Sequence, residues 1–204
     1  MNAGRPLPRE VRLIGGQWKR SKLPVLDRPG LRPTPDRVRE TLFNWLGQDM
    51  TGWRVLDAFA GSGALGFEAA SRGASEVLLL ELDAALVASL QTSQARLVAN
   101  ALRVERADAL AWMARCAAQR FDLVLLDPPY DAVLSAPALA AAARLVAPGG
   151  YVYLESGVAL STWPSGLSLH RSARAGAVHS QLFLGCPESG GTTLPPPSPK
   201  EHAT

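Results

Sequence analysis

From Trp53 to Ser156 the chain repeats one alternation: a short apolar run, a turn marked by glycine or aspartate, then a longer amphipathic or alanine-rich stretch. The runs "RVLDAF" (54–59), "EVLLLEL" (76–82), "FDLVLL" (121–126) and "YVYLES" (151–156) have almost no polar face. That is the pattern of strands covered by helices on both sides. Asn100 to Asp108 supplies the strand between the second and third of these. The intervening stretches predict helices. "GALGFEAASRG" (63–73) closes at Gly73, and Asp83 caps "AALVASLQTSQARLVANA" (84–101), whose inner stripe is Leu86, Leu90 and Leu97. Two further helices are expected over about 109–118 and over 134–146, the latter stopped by Pro148-Gly149-Gly150. Strand and helix alternating in this way predict an α/β sheet with helices on both faces.

The two ends break the rhythm. "LSLHRSAR" (167–174) and "GAVHSQLFLG" (176–185) read as strands joined at Gly176 without a helix, so an antiparallel hairpin at one edge is expected. At the other end, residues 11–26 predict a hairpin turning at Gly15-Gly16. After the loop "DRPGLRPT" (27–34), Thr34 is the expected N-cap and Pro35 the first helical residue. In the helix "PDRVRETLFNWLG" (35–47), Val38, Leu42, Trp45 and Leu46 share one face, Arg37 and Glu40 lie off it, and Gly47 or Gly52 ends the segment. The expected organisation is a disordered 1–10, a basic extension over 11–52, the sheet domain over 53–186 and a disordered Pro-rich tail over 187–204.

Composition adds bounds. With 204 residues, 47% hydrophobic and a net charge of +3, the chain suits one core of ordinary size or two very small ones. Cys116 and Cys186 lie 70 residues apart with no metal-like spacing, which points to a reducing compartment and no metal. No run nears the roughly 18 apolar residues of a membrane span. The start "MNAGRPLPRE" lacks the apolar core of a secretory signal, so a soluble cytoplasmic protein is expected. Charge distribution says more. Residues 1–40 hold ten Arg or Lys against four Asp or Glu, and the other 164 hold eleven against fourteen. A basic arm on a slightly acidic body suits a polyanion such as nucleic acid. A solvated arginine-rich terminus that binds nothing fits the same charges.

Candidate chemistry sits at the strand ends. The first strand runs into Asp57-Ala58-Phe59-Ala60-Gly61-Ser62-Gly63-Ala64-Leu65-Gly66, a G-x-G-x-x-G loop between strand and helix. Gly61 is expected to turn with positive φ, Gly63 to admit a ligand close to the backbone, and Gly66 to let the helix pack tightly. A ligand-free tight turn would use the same glycines. Glu81 follows Gly61 by 20 residues and ends the next strand, where an acid can accept from both hydroxyls of a ribose. Asp57 disfavours a pyrophosphate and favours a ligand carrying an amine or sulfonium, which tilts the choice from NAD to S-adenosylmethionine. Asp108 can accept from adenine N6, cap the following helix, or do both.

The fourth strand leaves through Asp127-Pro128-Pro129-Tyr130. Beside a glycine loop this suits methyl transfer to a planar exocyclic amine. The Asp127 carboxylate and the Pro128 carbonyl take the two N–H groups, the prolines fix the backbone, and Tyr130 stacks on the base. Asp-Pro-Pro is also ordinary turn material.

Asp57-x-x-x-Gly61-x-Gly63, Glu81, Asp108 and Asp127-Pro128-Pro129-Tyr130 together resemble the class I methyltransferases dependent on S-adenosylmethionine. More narrowly, "RLIGGQWKRSKLPV" (12–25), "GLRPTPDRVRETLFNWL" (30–46), "LDAFAGSGALGFEAASRGA" (56–74), "LLDPPY" (125–130) and "YVYLES" (151–156) resemble the bacterial family that methylates guanine N2 in 16S ribosomal RNA. The resemblance covers about residues 11–184. It implies a Rossmann-like seven-stranded sheet of order 3-2-1-4-5-7-6, with strand 7 antiparallel. It implies cofactor contacts from Asp57, Phe59, Ala60, Gly61, Ser62, Gly63, Glu81, Leu82, Asp108 and Ala109, and catalytic roles for Asp127, Pro128, Pro129 and Tyr130. Carried onto the N-terminal extension, it makes Arg32, Thr34, Arg37 and Arg39 candidates for ordering the pocket mouth or meeting RNA phosphates. Arg12, Lys19, Arg20 and Lys22 would widen that positive surface. Trp18 and Trp45 fit core or stacking roles equally. The implied partner is 16S ribosomal RNA, in a small-subunit or assembling particle, with no obligate protein partner. Two departures stand out: Ser180 in the edge strand "AVHSQLFL" (177–184), where an aromatic is expected, and the tail after Cys186.

Three rivals share some of these features. The same fold can methylate adenine N6 or a protein glutamine. An inactive RNA-binding assembly protein would have lost the glycine loop or the acid at 127, and both are present. A dehydrogenase is disfavoured by Asp127-Pro128-Pro129-Tyr130 beside the loop.

Overall fold

The apolar runs become the strands of one sheet. A short hairpin, β1 (Glu10–Arg12) and β2 (Lys22–Pro24), precedes α1 (Asp36–Leu46). Then come β3 (Arg54–Asp57), α2 (Ala64–Ser71), β4 (Glu76–Glu81), α3 (Ala84–Leu97), β5 (Leu102–Arg106), α4 (Ala109–Arg115) and β6 (Phe121–Leu126). The chain continues through α5 (Ala132–Leu145), β7 (Val146–Ser156), β8 (Leu167–Ala175) and β9 (Val178–Gly185). This computed structural model describes residues 10–28, 34–129 and 132–186.

The sheet order is β5-β4-β3-β6-β7-β9-β8. Counted from β3, that is the expected 3-2-1-4-5-7-6. Neighbours from β5 to β7 are parallel, and β9 is antiparallel to both β7 and β8. The order reverses between β3 and β6, and a crevice opens outside the strand ends at such a switch point.

Strand periodicity splits the core into two layers. Val77 and Leu79 of β4 face a cluster with Phe67 of α2, Leu42 and Phe43 of α1, and Leu13 and Leu23 of the hairpin segment. Leu78 and Leu80 face the opposite cluster, with Met113 of α4 and Leu139 and Leu145 of α5. Both faces of β4 are therefore covered, which is why its sequence carries no polar face. All eight residues of α2 are buried, since α1 and the hairpin close over it. Trp18 and Trp45 both pack half-buried against that layer.

Several local expectations need correction. The hairpin at Gly15-Gly16 is not a tight turn. Residues 13–21 form a broad connection that docks on the end of α2. Gln17 N–H donates to the Ser71 carbonyl at 2.8 Å, Trp18 N–H to Ser71 Oγ at 2.9 Å, and Ser71 Oγ to the Gly15 carbonyl at 2.7 Å. Part of the open C-terminus of α2 is thereby satisfied. α3 stops at Leu97 because Val98 turns left-handed, φ 52°. Pro148-Gly149-Gly150 does not precede β7 but lies inside it, where the register with β6 shifts between Phe121 and Leu123. The strand "AVHSQLFL" is not the edge: β9 lies inside the sheet and β8 is outermost. β8 is exposed from Ser168 to Arg174. The expected disorder of 1–10 and 187–204 lies outside the described residues except at Glu10, which pairs with Pro24.

Among the described residues, no helix is long and apolar enough to cross a membrane, and no cluster of His, Cys, Asp or Glu is arranged to hold a metal ion.

Candidate active site

A cavity of ≈ 570 Å³ opens at the carboxyl ends of β3, β4, β5 and β6. That volume falls within the roughly 300–1,000 Å³ usual for small-molecule sites. Of the expected cofactor residues, Asp57, Phe59, Ala60, Gly61, Ser62, Glu81, Leu82, Asp108 and Ala109 line it. Gly63 does not. It takes φ +80°, and an added Cβ would stand 2.6 Å from Leu90 Cδ2 and 2.8 Å from Phe67 Cδ2. Glycine is required there by a left-handed turn against the core, not by a ligand's approach. Gly66 fits its expected role, since a Cβ on it would meet Leu79 Cδ2 at 2.1 Å.

Glu81 braces the glycine loop. Its Oε2 accepts the Gly61 N–H at 2.9 Å, and its Oε1 accepts the N–H groups of Leu82 at 2.7 Å and Asp83 at 2.9 Å. A carboxylate offers about four lone-pair positions. Three amides leave about one for a ligand hydroxyl, fewer than the two expected. Leu82, 60% exposed, presents an apolar surface at the cavity wall. Asp108 lines the cavity and also caps α4, accepting from Ala111 N–H at 2.8 Å. Both of its expected placements therefore coexist.

Asp57 is the most confined acid of the site, only 1% exposed. Its Oδ2 accepts the Gly66 N–H at 2.9 Å, while Oδ1 has no hydrogen-bond partner among the described residues. Burial pushes its carboxyl up to about 7, the Gly66 and Phe59 amides oppose that rise, and the charges of Asp127 and Glu81 add to it. A buried acceptor with an open lone pair beside a cavity fits a cationic ligand group, which would satisfy it and favour its charged form. The donor set thus suits a nucleoside ligand with a positive centre.

Asp127 stands across the cavity at the end of β6, half-buried, followed by buried Pro128 and exposed Pro129. Tyr130 and Arg32 lie outside the described residues. Burial pushes the Asp127 carboxyl up to about 6, against the lowering hydrogen bond from Thr34. Behind it, the Tyr153 hydroxyl donates to Glu155 Oε1 at 2.9 Å and lies 3.1 Å from Ser180 Oγ. Burial and the Asp127 charge hold the Glu155 carboxyl well above the usual range. Ser180 is therefore part of a buried polar cluster with Tyr153 and Glu155.

The N-terminal basic residues divide. Arg39 is fully buried and cannot meet RNA phosphates. Its guanidinium binds Glu68 Oε2 at 3.3 Å, Asp36 Oδ1 at 2.6 Å and the Arg12 carbonyl at 2.8 Å. Thr34 is also buried and turned inward. It makes no N-cap bond to α1, which begins after Pro35. Arg12, Lys19, Arg20, Lys22 and Arg37 are exposed. Arg12 pairs with Asp36 at 3.0 Å and Lys22 with Glu10 at 2.8 Å. Lys19 and Arg20 follow the segment docked on Ser71, at the end of α2 remote from the cavity, about 10 Å along the helix axis.

Two features escaped the sequence reading. Arg28 lines the cavity and binds Asp83 Oδ2 at 3.1 Å. Glu68, inside α2, takes Arg72 on Oε1 at 2.8 Å while holding Arg39 on Oε2. Its only sequence signal was an acid within an otherwise small and apolar helix, four residues before an arginine.

The family described as Conserved hypothetical protein 95 matches residues 11–184. The chain is 43% identical over 182 residues to ribosomal RNA small subunit methyltransferase D of Escherichia coli (strain K12), covering 85% of this chain and 89% of the relative. It is 41% identical over 152 residues to the protein of that name from Haemophilus influenzae, covering 72% of this chain and 79% of the relative. Among solved structures, yhhF from Escherichia coli, a chain assigned to the methyltransferases, superposes with a TM-score of 0.79 at 39% identity. It covers 87% of this chain and 98% of that one.

Proposed function

The chain belongs to the family described as Conserved hypothetical protein 95, and from that premise we propose that it transfers a methyl group from S-adenosylmethionine to the exocyclic N2 of a guanine in 16S ribosomal RNA. The observation that carries the chemistry is one cavity lined both by Asp57 and Glu81 and by the Asp127-Pro128-Pro129 corner.

On this reading Asp57 Oδ1 receives the cofactor's ammonium, Glu81 a ribose hydroxyl and Asp108 the adenine amine, with Leu82 and Phe59 as apolar walls. Bound there, the cofactor supplies a methyl group activated by its sulfonium. The guanine amine is a poor nucleophile because its lone pair is delocalised into the ring. The Asp127 carboxylate and the Pro128 carbonyl accept its two N–H groups and hold the nitrogen in line with the methyl carbon. Positioning of this kind supplies much of a barrier reduction. Proline at 128 and 129 fixes φ and keeps that corner rigid. The bound cofactor would exchange its C–S bond for the new N–C bond and would leave as a thioether. The methylated nitrogen is then strongly acidic, and Asp127 or solvent takes its proton. A base tuned near neutrality is adequate for that step.

The substrate side rests on charge. Arg12, Lys19, Arg20, Lys22 and Arg37 form an exposed basic set that suits RNA phosphates. We assign the enzyme to the cytoplasm and its substrate to a small-subunit or assembling particle. Labelled methyl transfer tests the reading. Small-subunit particles and naked 16S RNA from a strain lacking the activity are the acceptors, followed by nucleoside analysis. N2-methylguanosine is expected. Label in N6-methyladenosine or only in protein would replace the substrate assignment, and no transfer to any acceptor would favour an inactive assembly protein.

A further inference from the structure

Thr34 carries the sequence pattern of an N-cap yet does not cap. Its hydroxyl donates instead to Asp127 Oδ2 at 3.1 Å, across 93 positions of sequence. Among the described residues this is the only hydrogen bond given to the Asp127 carboxylate. The Thr34 carbonyl in turn accepts Arg39 Nε at 3.2 Å. Arg39 is locked from behind by Glu68, which also accepts the Ile14 N–H at 2.9 Å. A continuous polar chain therefore runs from α2 through α1 to the corner after β6.

We propose that Thr34 is a positioning residue for the transfer step: its hydroxyl sets the rotation of the Asp127 carboxylate, and the Arg39–Glu68 pair holds Thr34 in place. The terminal torsion of an aspartate is broad and two-fold, so packing alone leaves the carboxylate free to swing. A β-branched donor has few rotamers and gives a defined direction. An acceptor for a planar amine needs that definition, because small misplacements of a reacting group cost large factors in rate. The N-terminal extension then belongs to the catalytic apparatus as well as to the RNA-facing surface. This inference rests on Asp127 as the group that receives the substrate amine.

The groups facing Asp127 are Asp57 from β3, Tyr153 and Glu155 from β7, and Thr34 with Arg39 behind it. The Asp127 charge holds the Asp57 and Glu155 carboxyls protonated to higher pH, while burial resists its own ionisation. Thr34 is the neighbour that favours it. Removing the hydroxyl therefore raises the pH at which Asp127 ionises.

The test uses the full chain with Thr34→Val, which keeps the shape, and Thr34→Ser, which keeps the hydroxyl. Thr34→Val is expected to lose about 10- to 100-fold in kcat on small-subunit particles, the range for a hydrogen bond to a charged group. Cofactor affinity stays unchanged, the acid limb of the pH–rate profile moves to higher pH, and Thr34→Ser restores most of the rate. A carbon-13 titration of the Asp127 carboxyl carbon, which needs no substrate, shifts upward in Thr34→Val. An unmoved midpoint in that titration overturns the proposal, whichever nucleoside the wild type methylates. So does equal impairment of both variants with a lowered melting temperature, which would mark a packing role.

Discussion

The Glu81 carboxylate accepts the Gly61 N–H at 2.9 Å, so the acid at the end of β4 holds the tip of the loop that follows β3. The glycine loop and the acid that ends the next strand are thus joined into one object. Glu81→Ala removes a brace and a hydroxyl acceptor together. Cofactor affinity is expected to fall about 10-fold or more, the scale of hydrogen bonds to a charged group. Isothermal titration with S-adenosylmethionine checks it, and wild-type affinity would contradict the assignment.

Asp127→Ala separates binding from turnover. The residue lies across the cavity from Glu81 and takes no part in bracing the loop. Cofactor affinity is expected to stay near normal while kcat drops about 100-fold or more. Near-normal turnover would show that the substrate amine is held elsewhere.

Asp57 ties stability to pH. Its folded-state pKa, about 7, lies above the ordinary carboxylate value. The folded chain therefore holds a proton that the unfolded chain releases, and stability falls as pH rises from the ordinary carboxylate range through about 7. Asp57→Asn is expected to melt above wild type at pH 8, with the gap narrower at pH 5 and closing only in the ordinary carboxylate range. The same variant should bind the cofactor more weakly. Melting curves at both pH values, paired with titration calorimetry, test the two halves.

Glu68 lies buried between Arg39 and Arg72. Removing one member of a buried ionic group leaves uncompensated charge and typically costs about 3–5 kcal/mol. Glu68→Gln is expected to destabilise at the lower end of that range, because the amide still accepts one hydrogen bond. Denaturant unfolding measures it directly.

Lys19, Arg20 and Arg37 are exposed and form no ion pair among the described residues. If they neutralise RNA phosphates, each alanine substitution lowers affinity for all RNA sequences alike and reduces the salt slope by about 1. Arg37 lies on α1 two residues from the chain holding Asp127, whereas Lys19 sits at the far end of α2. A flat response at Lys19 with a clear one at Arg37 would confine the RNA to the cavity side.

The fold was legible because its signals are local. Continuous apolar runs gave β4 and β6, and Asp83 and Asp108 marked the helix starts they cap. The acids that line the cavity were legible because Asp57 and Glu81 end strands, and Asp108 follows one, at the same edge of the sheet. What escaped was tertiary. Thr34 prefers a cap in isolation, but Asp127 lies near enough in space to take its hydroxyl. Arg39 reads as a group for the pocket mouth or for RNA phosphates, and the buried Glu68 helps explain why it points inward. Gly15-Gly16 looks like a two-residue turn because nothing nearby in sequence reveals Ser71. The placement of β9 inside β8 depends on how the hairpin docks on β7; the family resemblance implied it, and no local pattern records it.

β8 leaves an open row of backbone donors and acceptors along the last strand of the sheet. Such a row can recruit another molecule's strand and extend into a polymer. Here the register breaks between Leu169 and Arg171, so the ladder is out of step halfway along. Arg171 and Arg174 on the same strand would bring four guanidinium groups together if two copies lay side by side. The hairpin that completes the sheet thus also ends it on a broken, charged strand, a poor template for another copy.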